Sequence, residues 1–313
     1  MLPIPSRALL SRGLSRPFPL GTRPLPLRDR TEDPGLFGPD SVTWRVMREP
    51  LLMFGAARAL LMQAAHPLVA QGAIDHSTYE TDPFGRFERT VLWVTMVSFG
   101  TTAEARRAST RVNALHRRVR GELPAEHATG GSPAGQPYAG TEPGLLRWVH
   151  ASFVDTMLVA HDALVGGLDA RSRDAFVVEW NTVAALMGVP PRLHFRNAAQ
   201  LERYVAGQIG AGVAVPGPGS QKVARTVLHP PVATPLARPG LELLAFLSTG
   251  LLPEAVRSGY GIGWTPAHEA AHRATCLWLR SVRPVLPRRF KIGLAHDVAS
   301  ARAAGRMPAP AAA

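Results

Sequence analysis

The stretch that decides the fold covers residues 82–121 and reads DPFGRFERTVLWVTMVSFGTTAEARRASTRVNALHRRVRG. An aspartate followed by proline is typical of a helix start, because aspartate accepts hydrogen bonds from the free N–H groups of the first turn and proline lacks one of them. Gly100 is predicted to end that helix. Thr101 followed by Glu104 has the spacing of a capping box that opens a second helix, which Gly121 would end. The stretch therefore predicts two consecutive helices.

Both predicted helices carry polar side chains at helical spacing. Arg86, Arg89 and Thr90 lie at i, i+3 and i+4 on the first helix. His116 and Arg120 lie at i and i+4 on the second, which is predicted over residues 102–120. Side chains at these spacings share one face of a helix. A single histidine opposite a patch of cations and a hydroxyl can hold a metal ion or a haem iron, so these residues form the candidate active site.

A purely structural interpretation of the same residues stays open. Glu88 can screen the neighbouring arginines in an ordinary charged first turn. Arg120 can stabilise the C-terminus of its helix through the helix dipole, as readily as it can pair with a haem propionate. A histidine with apolar neighbours, such as His116, is more often a core or surface residue than a ligand. Residue types and spacing alone do not choose between these interpretations.

Capping residues, glycines and prolines predict helices along most of the remaining chain. A helix capped by Asp40 and Ser41 runs towards Arg48, and further helical segments are predicted at 51–65, 144–165, 170–187, 198–208, 239–249, 253–259 and 266–281. The glycine- and proline-rich segments 121–144 and 209–235 are predicted as loops. Alternating strand patterns are scarce, so we predict an all-α fold.

The helical part is predicted to form a single domain over residues 36–300. Residues 1–35 are expected to be a disordered, basic, proline-rich arm, and residues 301–313 a disordered tail. Residues 1–30 carry six arginines against a single acidic residue, and those arginines break the apolar run that a secretory signal needs.

Composition excludes several classes of protein. The chain has 313 residues, a formal net charge of +12 and a single cysteine, which excludes an intrachain disulfide and a four-cysteine zinc site. This cysteine usage favours a cytoplasmic location. The positive charge is not accompanied by the alternating basic and aromatic residues of a strand-stacking platform, so we expect no nucleic-acid partner.

An apolar segment at 51–73 raises the question of a membrane span. It contains Arg58, Gln63 and His66, and Pro67 interrupts it after about fifteen residues, short of the roughly twenty that a span needs. A buried core helix is the better interpretation, and we expect no transmembrane segment.

Several spaced motifs resemble one known superfamily, and the resemblance covers roughly residues 41–290. The matching text is QAAHPLVA at 63–70, Gly72, His76-Ser77, Asp82-Pro83, RxxRT at 86–90, Phe99-Gly100, LHxxVRG at 115–121, and Trp148-Val149-His150 with Asp155. This order of motifs resembles the superfamily of the MpaB-type oxygenases and the latex-clearing (rubber) oxygenases.

The resemblance to the rubber oxygenases implies a globin-like helical core that binds haem b. His116 stands where the family has its axial iron ligand, and Arg120 stands where an arginine follows it. Arg86, Arg89 and Thr90 fill the places of an arginine, a lysine and a threonine on the other face. The arginine at position 89 departs from the family's lysine. Because arginine stays protonated, Arg89 is not expected to bind iron.

The resemblance further implies a haem-dependent oxidoreductase that acts with dioxygen on an apolar, alkene- or isoprenoid-like substrate. Arg86 and Thr90 would orient oxygen and stabilise negative charge on it. His66 and His150 are further candidate cofactor-binding residues, although His66 can equally bond to backbone groups freed by the following proline. A haem-binding sensor or carrier without turnover is the alternative within the same cofactor class.

The sequence HEAAH at 268–272 points to a different chemistry. Two histidines at i and i+4 can share a zinc ion while Glu269 activates water, as in HExxH hydrolases. A third ligand would have to come from downstream, where only His296 and Asp297 remain. An ordinary helix start is the competing interpretation of this motif.

Overall fold

The computed structural model describes residues 33–231, 235–288 and 292–305. Nearly all regular structure there is helical, which confirms the all-α prediction. The helices are α1 Val42–Met47, α2 Ala56–Ala64, α3 Pro67–His76, α4 Pro83–Phe99, α5 Thr102–His116, α6 Pro143–Leu164, α7 Ala170–Leu186, α8 Ala198–Gly210, α9 Pro218–Leu228, α10 Arg238–Gly250, α11 Glu254–Gly259, α12 Pro266–Val282 and α13 Leu294–Ala303. Short 3-10 helices cover Pro50–Gly55, Ala125–His127, Pro191–Leu193, Pro235–Ala237 and Arg283–Val285. A globin-like arrangement of these helices stays a prediction.

The capping residues begin helices where the sequence predicts them. The Asp82 carboxylate accepts a hydrogen bond from the Gly85 N–H at 3.0 Å, and α4 begins at the proline between them. Thr101 and Glu104 form the predicted capping box at α5, in which each side chain accepts from the other residue's backbone N–H. Local hydrogen bonding is therefore sufficient to set these helix starts.

The predicted end of the second helix is wrong. α5 ends at His116, and Arg120 lies in strand β1 (Arg120–Glu122), which pairs antiparallel with β2 (Pro137–Ala139). The Val119 carbonyl accepts a hydrogen bond from the Gly140 N–H at 2.8 Å instead of continuing a helix. This hairpin lies inside the segment predicted as a loop, and backbone pairing over a distance of about twenty residues overrides the local helical pattern.

Three helices lie outside the predicted helical ranges: α3, which follows the predicted segment 51–65, α9 and α13. α9 lies inside the glycine- and proline-rich segment predicted as a loop, where Pro218 occupies the first turn. Its apolar residues Val223 and Val227 have helical i, i+4 spacing. α13 continues to Ala303, three residues into the segment predicted as a tail, and residues 306–313 lie outside the described part. Most of the predicted arm also lies outside it.

Helix α6 runs through the main core. It packs against α2, α7, α8 and α12, and its Trp148 and Leu158 are fully buried. α2 lies between α6, α9 and α10, whereas α4 has α5 as its principal neighbour. The N-terminal part of α4 is thus left with one side away from the main core.

No single helix among the described residues is long and apolar enough to cross a bilayer. One bent pair, Pro50–Ala64 with Pro67–His76, passes by length and composition, but its two parts meet at an angle of 104°.

Candidate functional site

An apolar pocket separates the N-terminal part of α4 from α2, α3, α9 and α10. Its walls are mostly aliphatic and aromatic side chains, among them Ala57, Leu60, Val69, Phe87, Val227 and Leu244. Small residues on α2 and α3 leave the space open, and α4 covers one side of it. The pocket has the apolar character and the few polar groups that are typical of sites for small molecules.

Arg86 brings a cation into this pocket. Its side chain lines the wall, and it is the one charged residue among the described residues that do so. The guanidinium makes no hydrogen bond or ion pair with any side chain or carbonyl of the described chain. Burial, followed by the nearby charge of Arg89, lowers the pKa of Arg86. The pocket therefore contains a positive charge without a counter-charge from the protein.

Arg89 and Thr90 do not share this environment. The Arg89 guanidinium donates to the Asp82 carboxylate at 3.1 Å and to the Thr78 hydroxyl at 2.9 Å, and its side chain is 59% exposed. The Thr90 hydroxyl donates to the Arg86 carbonyl at 3.1 Å, within its own helix. Of the three predicted residues on α4, only Arg86 lines the pocket.

His116 lies half-buried at the end of α5. Its Nδ1 atom is buried and has no hydrogen-bond partner within the described structure. Burial lowers the pKa of the imidazole, so the ring is neutral near pH 7. A neutral, unpartnered imidazole nitrogen is the form in which histidine binds a metal.

The register of the helix pair places Arg86 and His116 at the same level. The two helices are joined by two residues and run antiparallel, and the Trp93 indole N–H donates to the Ser109 hydroxyl at 3.3 Å. Arg86 precedes Trp93 by seven residues, and His116 follows Ser109 by seven. Seven residues are nearly two full turns, so each side chain projects from about the same face as the contact between the helices. Ideal helix geometry therefore places the two side chains at about the same level of the helix pair, although only Arg86 lines the pocket.

Arg120 is not one helical turn beyond His116, contrary to the prediction. It lies exposed in β1, and its guanidinium donates to the Arg117 carbonyl at 3.0 Å. This contact satisfies a carbonyl at the C-terminus of α5, which matches the structural interpretation of the residue. The His76 imidazole bonds to the Arg120 carbonyl at 3.0 Å and holds this segment against α3.

The other two candidate histidines stand apart from the pocket lining. His66 begins α3, where its Nδ1 accepts from the Leu68 N–H at 3.3 Å, and burial lowers its pKa to about 4. His150 stacks against Phe195, and burial, followed by the charge of His194, lowers its pKa to about 3. Its buried Nε2 has no hydrogen-bond partner among the described residues. Neither ring lines the pocket.

The HExxH residues serve as structural contacts. The His268 imidazole accepts from the Thr265 N–H at 3.2 Å at the start of α12, and His272 turns to a buried carbonyl of α10 at 3.1 Å. Glu269 accepts from the Trp264 indole at 2.9 Å. No three histidine, cysteine, aspartate or glutamate side chains in the described part of the chain are arranged to hold a metal ion. The HExxH motif therefore has no assembled zinc site in the described part of the chain.

Sequence reasoning missed most of the pocket wall. Tyr79 precedes α4, and Val223, Thr226 and Val227 belong to α9, which was predicted as loop. The i, i+4 spacing of the two valines after Pro218 is the signal that could have found this wall.

Comparison with protein families gives one match. The model described as "ER-bound oxygenase mpaB/B'/Rubber oxygenase, catalytic domain" covers residues 44–281, more than half of the chain. The chain belongs to this family. The match confirms the resemblance stated from the motifs, and it includes α4, α5 and every wall of the pocket. Comparisons with curated proteins and with solved structures found no match.

Membership of the mpaB/rubber oxygenase family identifies the chain as an oxygenase-type oxidoreductase. An oxygenase uses dioxygen together with a substrate. The match does not name the site residues that would serve this chemistry.

Proposed function

We propose that this protein is a haem-b-dependent oxygenase that acts with dioxygen on an apolar, alkene- or isoprenoid-like substrate. His116 would be the axial ligand of the haem iron. The observation that carries the proposal is that α5 ends in an imidazole whose buried Nδ1 has no partner among the described residues, while the adjoining helix α4 brings Arg86 into an apolar pocket. Family membership supplies the class of reaction.

The residues present suit a haem. The buried Nδ1 of His116 lacks a partner, which costs free energy unless a ligand or a metal satisfies the ring. The lowered pKa of His116 keeps the imidazole unprotonated, as ligation requires. Bound haem would supply the one-electron and dioxygen chemistry that protein side chains lack. Arg120, at the surface beyond α5, would have to leave the Arg117 carbonyl to pair with a propionate.

The other residues of the site would each have a separate role in the reaction. Arg86 offers several N–H donors in a pocket with mostly apolar walls, and donors fixed in such surroundings stabilise negative charge that develops in a reaction. Thr90 holds the Arg86 carbonyl through its hydroxyl and thereby stiffens this turn of α4. Leu60, Val227 and Leu244 would line the path of an apolar chain. Arg89 is tied to Asp82 outside the lining, so its charge is balanced by that carboxylate.

The visible absorption spectrum of the purified protein tests this proposal, with iron and zinc quantified in the same samples. A Soret band in the parent that is lost or shifted in His116→Ala is the expected result. His150→Phe is the matched control, because this buried histidine lies away from the pocket and its replacement should leave the band in place. An unchanged band in His116→Ala would assign the ligand elsewhere.

Turnover separates the oxygenase from a carrier. Haem-loaded protein should consume oxygen in the presence of a long-chain alkene or a long-chain unsaturated acid, and Arg86→Ala should keep the Soret band but slow this consumption. A stable oxygen complex with no consumption would favour the sensor or carrier. Stoichiometric zinc without a Soret band would overturn the oxygenase proposal.

A further inference from the structure

The pocket contains an unbalanced positive charge. Arg86 is half-buried, and a guanidinium that loses part of its hydration without gaining a partner costs free energy, so proteins normally supply a carboxylate or several carbonyls to such a group. Arg86 has neither among the described residues, and the nearby charge that lowers its pKa after burial, that of Arg89, is another cation. A ligand in the pocket is therefore in a position to supply the missing counter-charge.

The protein's own acids near the pocket are engaged elsewhere. Asp82, one turn before Arg86, accepts from the Gly85 N–H and from Arg89. Glu80 accepts from the Tyr79 hydroxyl at 2.8 Å and pairs with Lys222 at 3.3 Å. These contacts leave the Arg86 guanidinium available to a ligand.

The shape and charge of the pocket define the ligand's chemistry. One cation matches one negative charge, whereas a diphosphate or a dianion would need further cations that the lining does not contain. A guanidinium presents a planar fork that matches a carboxylate through two parallel hydrogen bonds. The remaining walls are aliphatic and aromatic, so the rest of the ligand is apolar.

We infer that the pocket binds an apolar chain that ends in a single carboxylate, and that Arg86 pairs with this carboxylate. The substrate of the oxygenase is then an unsaturated acid rather than a neutral hydrocarbon. This identification of the ligand as the substrate rests on the proposed function, whereas binding of the acid does not require haem.

Isothermal titration of the full-length protein with oleic acid and with oleyl alcohol tests the inference. The two probes share chain length and double bond and differ only in the charged end. In haem-free and in haem-loaded protein, the acid should bind roughly 10- to 100-fold more tightly than the alcohol, the range expected for a hydrogen-bonded charged pair. Arg86→Gln should remove this preference while alcohol binding changes by less than about twofold.

Three further variants test the interpretation. Arg225→Gln removes an arginine from α9, a wall of the pocket, at an exposed position outside the lining, and it should keep the preference for the acid. Val227→Trp fills the pocket and should weaken the binding of both probes. If Arg86→Gln fails to fold, Arg86→Lys keeps the charge without the planar fork and should retain only part of the preference.

Three results would overturn the inference: equal binding of acid and alcohol, a preference that survives Arg86→Gln, or a preference that disappears when haem is bound. The last would show that a haem propionate is the carboxylate that Arg86 pairs with. A preference for the acid in a protein that takes up no haem would instead refute the proposed function and leave the acid site standing.

Discussion

Two arginines, one on α2 and one on α4, have opposite environments for their charge. Arg58 on α2 is 2% exposed, and its guanidinium donates to Asp155 at 2.7 Å, to the Thr156 hydroxyl at 2.5 Å and to the Leu251 carbonyl at 2.7 Å. Arg86 on α4 enters the pocket and has no partner among the described residues. The first charge is balanced within the core, and the second is not.

The difference between Arg58 and Arg86 distinguishes an arginine that stabilises the fold from one that is available to a ligand. A fully bonded guanidinium ties α2 to α6 and to the end of α10, so it contributes to a single folded arrangement. An unbonded one costs stability and is retained where a ligand or a reaction supplies the missing charge. Stability measurements can therefore decide whether each arginine has the role that its contacts indicate.

The largest effect is expected at Arg58. Arg58→Met leaves the buried Asp155 carboxylate without its partner and should lower the free energy of unfolding by about 3–5 kcal/mol, as measured by urea denaturation. Arg58→Met combined with Asp155→Leu removes both charges and should recover much of that loss. A loss below about 1 kcal/mol in the single variant would contradict the structural role.

Buried histidines extend the comparison between the two arginines. A buried histidine can avoid the cost of a buried charge by losing its proton, and an arginine cannot. The pKa of His66 is about 4 in the folded protein against 6.5 for the ordinary side chain. The unfolded chain therefore binds a proton between these values that the folded protein does not. Above pH 6.5 the contribution of His66 to the free energy of unfolding is fully present. As the pH falls from 6.5 towards 4, the free energy of unfolding decreases by on the order of 3 kcal/mol.

Urea denaturation at pH 7, 5.5 and 4 measures this loss. His66→Asn keeps an acceptor at the start of α3 but does not titrate, so its stability should fall less steeply over the same range. The same slope in the parent and the variant would assign the acid sensitivity to other groups, such as His150.

Arg86→Met should behave in the opposite way to Arg58→Met. Removing an unpaired cation from an apolar pocket is expected to leave the free energy of unfolding unchanged or to raise it by about 1 kcal/mol. The same denaturation series measures it. A destabilisation comparable to that of Arg58→Met would show that the fold itself depends on Arg86 and would break the comparison.

The smallest effect is expected at Arg89. Its pair with Asp82 is exposed to water, and Arg89→Gln should cost less than about 1 kcal/mol. Raising the salt concentration should shrink even that difference between parent and variant. A cost above about 2 kcal/mol would mean that this pair matters more than its exposure indicates.

Local chemistry made most of the helices predictable. The starts of α1, α4 and α5 follow from capping side chains a few residues away, and α6, α7, α10 and α12 end within about two residues of the predicted bounds. The end of α5 and the position of α9 were not predictable in this way. The first depends on pairing between β1 and β2, and the second on packing against α2 and α3, which the sequence pattern does not contain.

The sequence by itself determined the helical fold, the α4–α5 hairpin and, through its spaced motifs, membership of the oxygenase family. Only the tertiary structure decided which polar side chain meets the pocket. Arg86 and Arg89 are three residues apart, so their directions differ by about 60° around the helix. One points among α2, α9 and α10 and the other towards Asp82 and water. The positions of the neighbouring helices make that difference, because a helical pattern specifies a face but not what lies opposite it.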